Sequence, residues 1–541
     1  MFNKKIIYLL FFLCIIIASA LRLFTLFHTH HLDFESVFRI TESYQYSKIS
    51  PWYHFWHLGI ISGGTGGQRG YYLLNSLLMA IINQPDMVAR FSSMVFAVLS
   101  IIFYFPLLRL LFTREISLAS TFALAFYHVH IQLSVVPMAN AGFIFFTIIS
   151  LYCLLRLCFF NSTANSRFLL FLTALFTLLA TSFRLEAWLL VIAYPIILLV
   201  KKKPLAAVIL FILSSLYIVN TLYLMQKCFG NPFIFLQNPL LHIHGAKTSM
   251  GFFAHPDNLP SYSSFQGLIW IDTLRYSLST PLLILGAIGM FGIRSHKKQA
   301  AFFFVFFCFL FMLTLRQIIS NHSPFIRYVS ILAVFFIPFI LQGARDCGSL
   351  ILNCLKLKIT WRRPVLMSGI FASLIFFVFV SSSHLVNDFY AMQYQDSVYI
   401  LDNWMLKNSK SGDLLFSSFN DLDTHAAAIA NKYVVSKPLD ERIFMSSLYN
   451  FLYSRENAID LSKQAPFLPK SIQDSFFPMF DNRNIFLNLI RSREYKQQIS
   501  RIVFLFKPAD FKYLKAHLPK LLKKVSFSYN GFMYCGILPA Y

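Results

Sequence analysis

Apolar residues run in long blocks over the first 384 positions, with short polar stretches between them. Blocks near 6–27, 88–112, 116–136, 139–160, 168–183, 186–200, 205–226, 273–293, 300–319, 328–344 and 364–384 compare with the roughly 20 residues a helix needs to cross hydrocarbon. The pattern therefore predicts about eleven transmembrane helices. Two of the blocks are short, which predicts tilted or broken spans. At about Ser381 the pattern changes, and residues 385–541 are polar enough and numerous enough to bury a core of their own. Within them Asp413–Phe416 and Arg501–Phe506 read as buried strands and Phe511 to Lys524 as an amphipathic helix. The predicted fold is an α-helical polytopic membrane protein over 1–384 with a small C-terminal α/β domain over 385–541.

Charge orients these spans. Lys4/Lys5, Arg109/Arg114, Arg156/Arg167, Lys201 to Lys203, Arg294/Lys297/Lys298 and Lys356/Lys358/Arg362/Arg363 fall in every second connection, the distribution of cytoplasmic loops. An odd number of spans then puts the N-terminus in the cytoplasm and the C-terminal domain outside. Acids before residue 385 run the other way. Asp33, Glu35, Glu42, Asp86, Glu186, Asp257 and Asp272 map outside, and Glu115 and Asp346 inside. Acid-dependent chemistry is thus expected on the extracytoplasmic face. The net charge of +24 does not indicate nucleic acid, because the basic residues mark loops instead of forming one face. With 57% hydrophobic and 13% charged residues, against about 25% charged in soluble domains, the membrane is the partner that composition implies.

Other features add less. Lys4/Lys5, an apolar core and Ala18-Ser19-Ala20 resemble a secretory signal, but the apolar run continues past Ala20, which favours a retained first span. Only Cys228 and Cys535 of the eight cysteines map outside, so one disulfide is allowed and none is required. Glycines at 63, 64, 66, 67 and 70 lack the following GK[ST] and the preceding strand of a phosphate loop, and read as a flexible acceptor-facing loop.

Chemistry concentrates directly after the first span, in His31-Leu-Asp-Phe-Glu-Ser-Val-Phe-Arg-Ile-Thr-Glu-Ser-Tyr44. A carboxylate at the membrane edge serves as a general base when it reaches the attacking atom; Asp33 is the first candidate and Glu35 the second. A phosphate leaving group needs positive charge where negative charge develops. Arg184 is the leading donor, then Arg327, with Lys247, Arg39 and Arg69 behind. The competing account of Arg184 is a structural pair with Glu186 or snorkelling at the interface. Histidines are frequent outside, but none has an i, i+4 ligand pair with a nearby Glu, and packing accounts for most of them. His130 and Ser134 share a helical face leading to Pro137, which suits, with Glu186, the wall of a polar acceptor cavity.

These residues resemble a known superfamily. Arg22-Leu-Phe24, then Asp33, then Phe38-Arg39 with Thr41-Glu42 look like the first external loop of the GT-C glycosyltransferases, and most of all that of oligosaccharyltransferase catalytic subunits. Ser261 to Trp270 is similar to that family's mobile external loop, placed here in 227–272. Arg327-Tyr328 resembles the opening of a late family helix. Ser418-Phe-Asn-Asp421 with Ala428 to Asn431 looks like an eroded Trp-Trp-Asp segment. Val88-Ala-Arg-Phe-Ser-Ser93 and Ser182 to Trp188 resemble the family 39 branch, the protein O-mannosyltransferases and aminoarabinose transferases.

The resemblance implies a transferase that moves a sugar, with inversion, from a polyprenyl-phosphate carrier to an extracytoplasmic acceptor: protein, lipid or polysaccharide. In the oligosaccharyltransferases a divalent metal is held by the first-loop Asp, acids at the start of the fourth span and a Glu in the mobile loop. This chain has Ala139-Asn140-Ala141 and Ser264 at those places. One charged ligand is too few for tight Mg or Mn binding, so a cofactor-free reaction is favoured over a metal-dependent one. The family's Ser-Arg at the third span is here Ser134-Val135, so one phosphate ligand is missing. The alternatives are transfer of a diphosphate-linked glycan to protein, an inactive scaffold of this fold, and a lipid or solute transporter. A transporter should show repeat symmetry and a continuous polar path, and the sequence shows neither.

Overall fold

A computed structural model of the protein describes residues 4–29, 39–40, 43–44, 46–47, 52, 68–82, 84–159, 166–229, 232–233, 269–291, 297–320, 326–354, 359–392, 404, 407–408, 413–417, 501–506, 511, 525–529 and 534–539. The helices are α1 (Lys4–His28), α2 (Arg69–Ile81), α3 (Pro85–Arg109), α4 (Arg114–Phe126), α5 (His128–Val135), α6 (Asn140–Phe159), α7 (Ser166–Phe183), α8 (Leu190–Val200), α9 (Pro204–Phe229), α10 (Ile269–Leu278), α11 (Thr280–Phe291), α12 (Lys297–Ser320), α13 (Ile326–Cys354) and α14 (Ile359–Met392). A 3-10 turn, Leu185–Leu189, leads into α8.

Local chemistry sets several of their starts. Pro85 opens α3 with Asp86 in its first turn, where a missing N–H costs nothing and a carboxylate meets the positive end of the helix. Thr113 caps α4 by accepting the Ile116 amide. Each of the eleven apolar blocks coincides with helix. Among the described residues seven helices are long and apolar enough to cross a membrane, or up to nine crossings if two bent pairs are each one span, and Leu185–Val200 and Gln299–Leu315 are shorter apolar helices.

The bent pairs modify the expected picture. Block 116–136 is two helices, α4 and α5, meeting at 54° across Tyr127. Block 273–293 is not a straight span, because α10 and α11 meet at 112° through Ser279, whose φ of 75° lies in the left-handed region that serine rarely adopts. The twelve residues of α11 rise only about 18 Å, short of the ~30 Å hydrocarbon core.

The core is aromatic and tightly approached. Phe302 lies 4.6 Å from Phe335 and Phe112 5.6 Å from Phe339 between ring centres. A Cβ on Gly343 would stand 1.8 Å from the Leu285 carbonyl oxygen, and one on Gly289 2.0 Å from that of Phe339. Glycine at both places lets α11 and α13 touch backbone to backbone, as small residues do between membrane helices.

The C-terminal region carries a four-stranded sheet in the order β1 (Asp413–Ser417), β2 (Arg501–Phe506), β4 (Tyr534–Pro539), β3 (Ser526–Tyr529). β1 and β2 are parallel with Leu414 opposite Ile502, and the other pairings are antiparallel. Both strands expected from sequence are present, and β3 and β4 are additional. Of the expected helix Phe511 to Lys524 only Phe511 lies among the described residues; its ring stacks on Tyr534 at 3.9 Å. Cys535 on β4 is buried, and the side chain of Cys228 lies outside the described residues.

Candidate active site

Asn140 at the start of α6, Arg184 after α7, Glu186 in the 3-10 turn and Arg327 at the start of α13 meet at one end of the bundle. Close approach of α6 and α7 makes this meeting. A Cβ on Gly142 would lie 2.4 Å from the Phe183 ring, so glycine admits the residue that precedes Arg184. The chain leaves α7 at Arg184 with extended backbone, and the turn then sets Glu186 beside it. Arg184 Nε donates to Glu186 Oε2 at 2.9 Å and Nη2 to Oε1 at 2.8 Å, the two-pronged pairing that fixes a guanidinium most firmly. Arg184 Nη1 donates to Asn140 Oδ1 at 3.0 Å, and Asn140 Nδ2 donates to the Arg327 carbonyl at 3.2 Å. Both guanidinium groups face the Tyr328 ring, at 4.8 Å for Arg184 and 5.3 Å for Arg327.

All four polar residues are buried, Arg184 being 5% exposed. Burial disfavours its charge, but the Glu186 carboxylate and its hydrogen bonds outweigh that and hold the pKa above the ordinary arginine value. The structural pair weighed from sequence is therefore formed, and with Asn140 it fixes the Arg184 guanidinium over the Tyr328 ring that Arg327 also faces.

A second arginine organises the end of α1. Arg90 donates from Nε to Val135 O at 3.0 Å and from Nη2 to Leu26 O at 2.7 Å and Thr29 O at 2.5 Å; Asp86 lies 3.9 Å away. Orphan carbonyls at two helix ends, α1 and α5, are thus met by one side chain. Thr29 is four residues before Asp33. On the other side of that loop, Arg39 Nε donates to Gln68 Oε1 at 2.8 Å. Next to Gln68, Arg69 donates to Thr221 Oγ1 and to Tyr217 OH at 3.3 Å. A Cβ on Gly70 would stand 2.1 Å from Ser182 Oγ, so α2 begins against the end of α7, two residues from Arg184.

His130 and Ser134 are both buried on α5, and each has one polar atom engaged within the bundle. His130 Nδ1 meets Arg22 Nη2 at 2.8 Å. Ser134 Oγ donates to its own helix at Ile131 O, 2.5 Å. Asp33, Glu35, Lys247 and Ser264 lie outside the described residues. Sequence reasoning missed three structural roles: Asn140 as the bridge between arginines, Arg90 as the clamp on α1, and Arg22 as the partner of His130. Arginines within apolar runs were the available signal.

The metal reading meets an obstacle at Asn140. Its amide oxygen is occupied by Arg184 and its nitrogen by a backbone carbonyl, so it does not fit as a divalent-cation ligand beside a guanidinium. Among the described residues no three His, Cys, Asp or Glu side chains are grouped to hold a metal.

No family model matches the sequence, and no curated protein matches it. Solved structures do. ArnT from Cupriavidus metallidurans in the apo state aligns with TM-score 0.60 at 10% identity, covering 98% of this chain and 97% of that one. The same protein bound to undecaprenyl phosphate aligns at 0.58 and 10%, with 97% of each chain covered. The apo oligosaccharyltransferase of Archaeoglobus fulgidus aligns at 0.54 and 12%, over 99% of this chain and 75% of that one. At these identities the likeness is one of architecture, and the chain has the fold of the GT-C membrane glycosyltransferases.

Proposed function

We propose that this chain is an inverting membrane glycosyltransferase that takes a sugar from a polyprenyl-phosphate carrier and delivers it to an extracytoplasmic acceptor. The observation that carries the reading is the buried meeting of Arg184 and Arg327 on Tyr328, fixed through Glu186 and Asn140. Preorganised guanidinium groups stabilise negative charge as it develops on a departing phosphate. Three of the five N–H groups of Arg184 are engaged by Glu186 and Asn140, which leaves two for a phosphate oxygen.

In the step proposed, Asp33 takes the proton from the acceptor hydroxyl or amine and the acceptor lone pair forms the new bond to the anomeric carbon. The bond from that carbon to the phosphate oxygen breaks with its electron pair on the phosphate. Glu35 is the second choice of base, and Lys247 and Arg39 are further phosphate contacts. Thr29 and Arg39, held by Arg90 and Gln68, flank Asp33 four and six residues away. Four residues of chain reach at most about 14 Å, which supports a base on the same side of the bundle as the clamp.

Alignment with ArnT over nearly the whole of both chains, against three quarters of the oligosaccharyltransferase, supports the ArnT-like, monophosphate carrier over a diphosphate one. Asn140 between arginines supports a reaction without divalent metal. Turnover of a polyprenyl-phosphate sugar by the purified chain, measured with strong chelator and with added Mn, tests both points. Transfer that persists under chelation agrees with the proposal; loss on chelation with recovery on Mn restores the metal-dependent, diphosphate mechanism.

A further inference from the structure

Arg22 sits six residues before the end of α1, about 9 Å below it along the helix axis, and is fully buried. A charge at that depth needs partners, and the break between α4 and α5 supplies one. Because α4 stops at Phe126, the Ala125 carbonyl has no amide of its own helix to accept. Arg22 Nη1 donates to it at 3.1 Å and to Ala18 O at 3.0 Å. Arg22 Nη2 lies 2.8 Å from His130 Nδ1.

That last contact decides the state of the imidazole. A guanidinium stays protonated and has only donors, so His130 Nδ1 must accept. The ring is then neutral with its hydrogen on Nε2, since an imidazolium would point a second N–H at Arg22. Among the described residues, the buried His130 Nε2 meets no hydrogen-bond acceptor, and neither does Arg22 Nε. Two buried donors within one contact pair thus lack an acceptor, although leaving a buried donor unmet costs about 1–3 kcal/mol. Ser134, one turn along the same face, turns its hydroxyl to its own backbone and supplies none.

We infer that His130 is a substrate-binding residue, locked by Arg22 as a neutral Nε2–H donor toward an oxygen of the lipid-borne donor's polar head. The inference rests on the transferase reading and deepens it. His130 lies five residues before Val135, where Arg90 ties α5 to the end of α1, so it is about 7.5 Å below that level. An acceptor molecule arrives from the aqueous side, whereas a polyprenyl-linked head group is carried within the lipid layer; a donor at this depth meets the latter.

Glutamine and glutamate at 130 separate this role from packing. Both offer an oxygen to Arg22, and only glutamine can also present an N–H. The full-length chain in nanodiscs carrying His130→Gln should keep kcat/KM within about threefold of wild type, while His130→Glu should fold with unchanged or higher thermal stability and lose about 10- to 100-fold, the loss from one buried hydrogen bond. The change should appear with the donor varied and in the binding of undecaprenyl phosphate or the intact sugar donor, with the KM for acceptor unmoved. Equal activity of the two variants overturns the assignment, as does a change confined to the acceptor KM. Asp33→Asn on the same preparations distinguishes the two readings. Transfer that depends on Asp33 and is indifferent to Glu or Gln at 130 removes the His130 role alone, and absence of transfer by the wild-type chain removes both.

Discussion

Replacing Glu186 with glutamine keeps the shape of the buried pair with Arg184 and removes its charge. The carboxylate accepts two hydrogen bonds, at 2.9 and 2.8 Å, and a glutamine oxygen accepts only one while its amide nitrogen faces a second donor. A lost hydrogen bond to a charged group costs about 1.5–3 kcal/mol, and breaking a buried ion pair about 3–5 kcal/mol. Because Arg184 is 5% exposed, water compensates little, and a loss of about 3 kcal/mol is expected. The remaining bond to Asn140 and the Tyr328 face are present before and after the change and offset nothing. Melting of the purified chain in nanodiscs should therefore fall in Glu186→Gln and recover in Arg184→Met/Glu186→Leu, where neither charge is left unmatched. The same change releases one guanidinium N–H group. Saturating a site to about 100 times its Kd stabilises by about 2.7 kcal/mol, so undecaprenyl phosphate should raise the melting temperature of Glu186→Gln by more than that of wild type. A variant that melts like wild type and responds to the lipid phosphate like wild type would refute the energetic and the phosphate-binding parts of the reasoning together.

Two further outcomes follow from packing and topology. Gly343→Leu forces a Cβ into a backbone carbonyl now 1.8 Å away, and as the obstacle cannot swing aside a cost near 3 kcal/mol is expected; the variant should melt earlier or elute as aggregate, and a wild-type profile would mean that α11 and α13 are not in backbone contact. Impermeant thiol reagents should label single cysteines at Ser50 and Ser411 on intact cells, and protection of both would reverse the orientation read from the basic loops.

The membrane part was legible because long apolar blocks leave few alternatives to helix. Every block coincides with helix for that reason. What hydropathy does not encode is a bend: Tyr127 and Ser279 lie inside apolar blocks, and the turns of 54° and 112° change no window average. Arg184, Glu186 and Arg327 were recognisable from charge at span ends, but their junction was not. Asn140 is 44 residues from Arg184 and 187 from Arg327 in the chain, and its amide looked like a lost metal ligand until both neighbours were in place. Arg90 was read as part of a family-like segment, and its clamp on α1 depends on carbonyls freed at two helix ends. In the C-terminal region β1 and β2 are apolar runs that read directly as strands, whereas the Ser-Phe-Ser-Tyr of β3 is only four residues long and mostly exposed, too short for its alternation to stand out.

The central claim is that a carboxylate after the first span activates an acceptor against a phosphate leaving group held by buried arginines. Transfer from a polyprenyl-phosphate sugar by Asp33→Asn, compared with wild type and Glu35→Gln at matched expression, tests it most directly. General-base contributions are typically about 100- to 10,000-fold, so Asp33→Asn should lose at least 100-fold in rate with donor binding retained, and Glu35→Gln should lose less. Near-normal transfer by Asp33→Asn beside a dead Glu35→Gln would move the base to Glu35, and normal transfer by both variants would contradict the catalytic account of this loop.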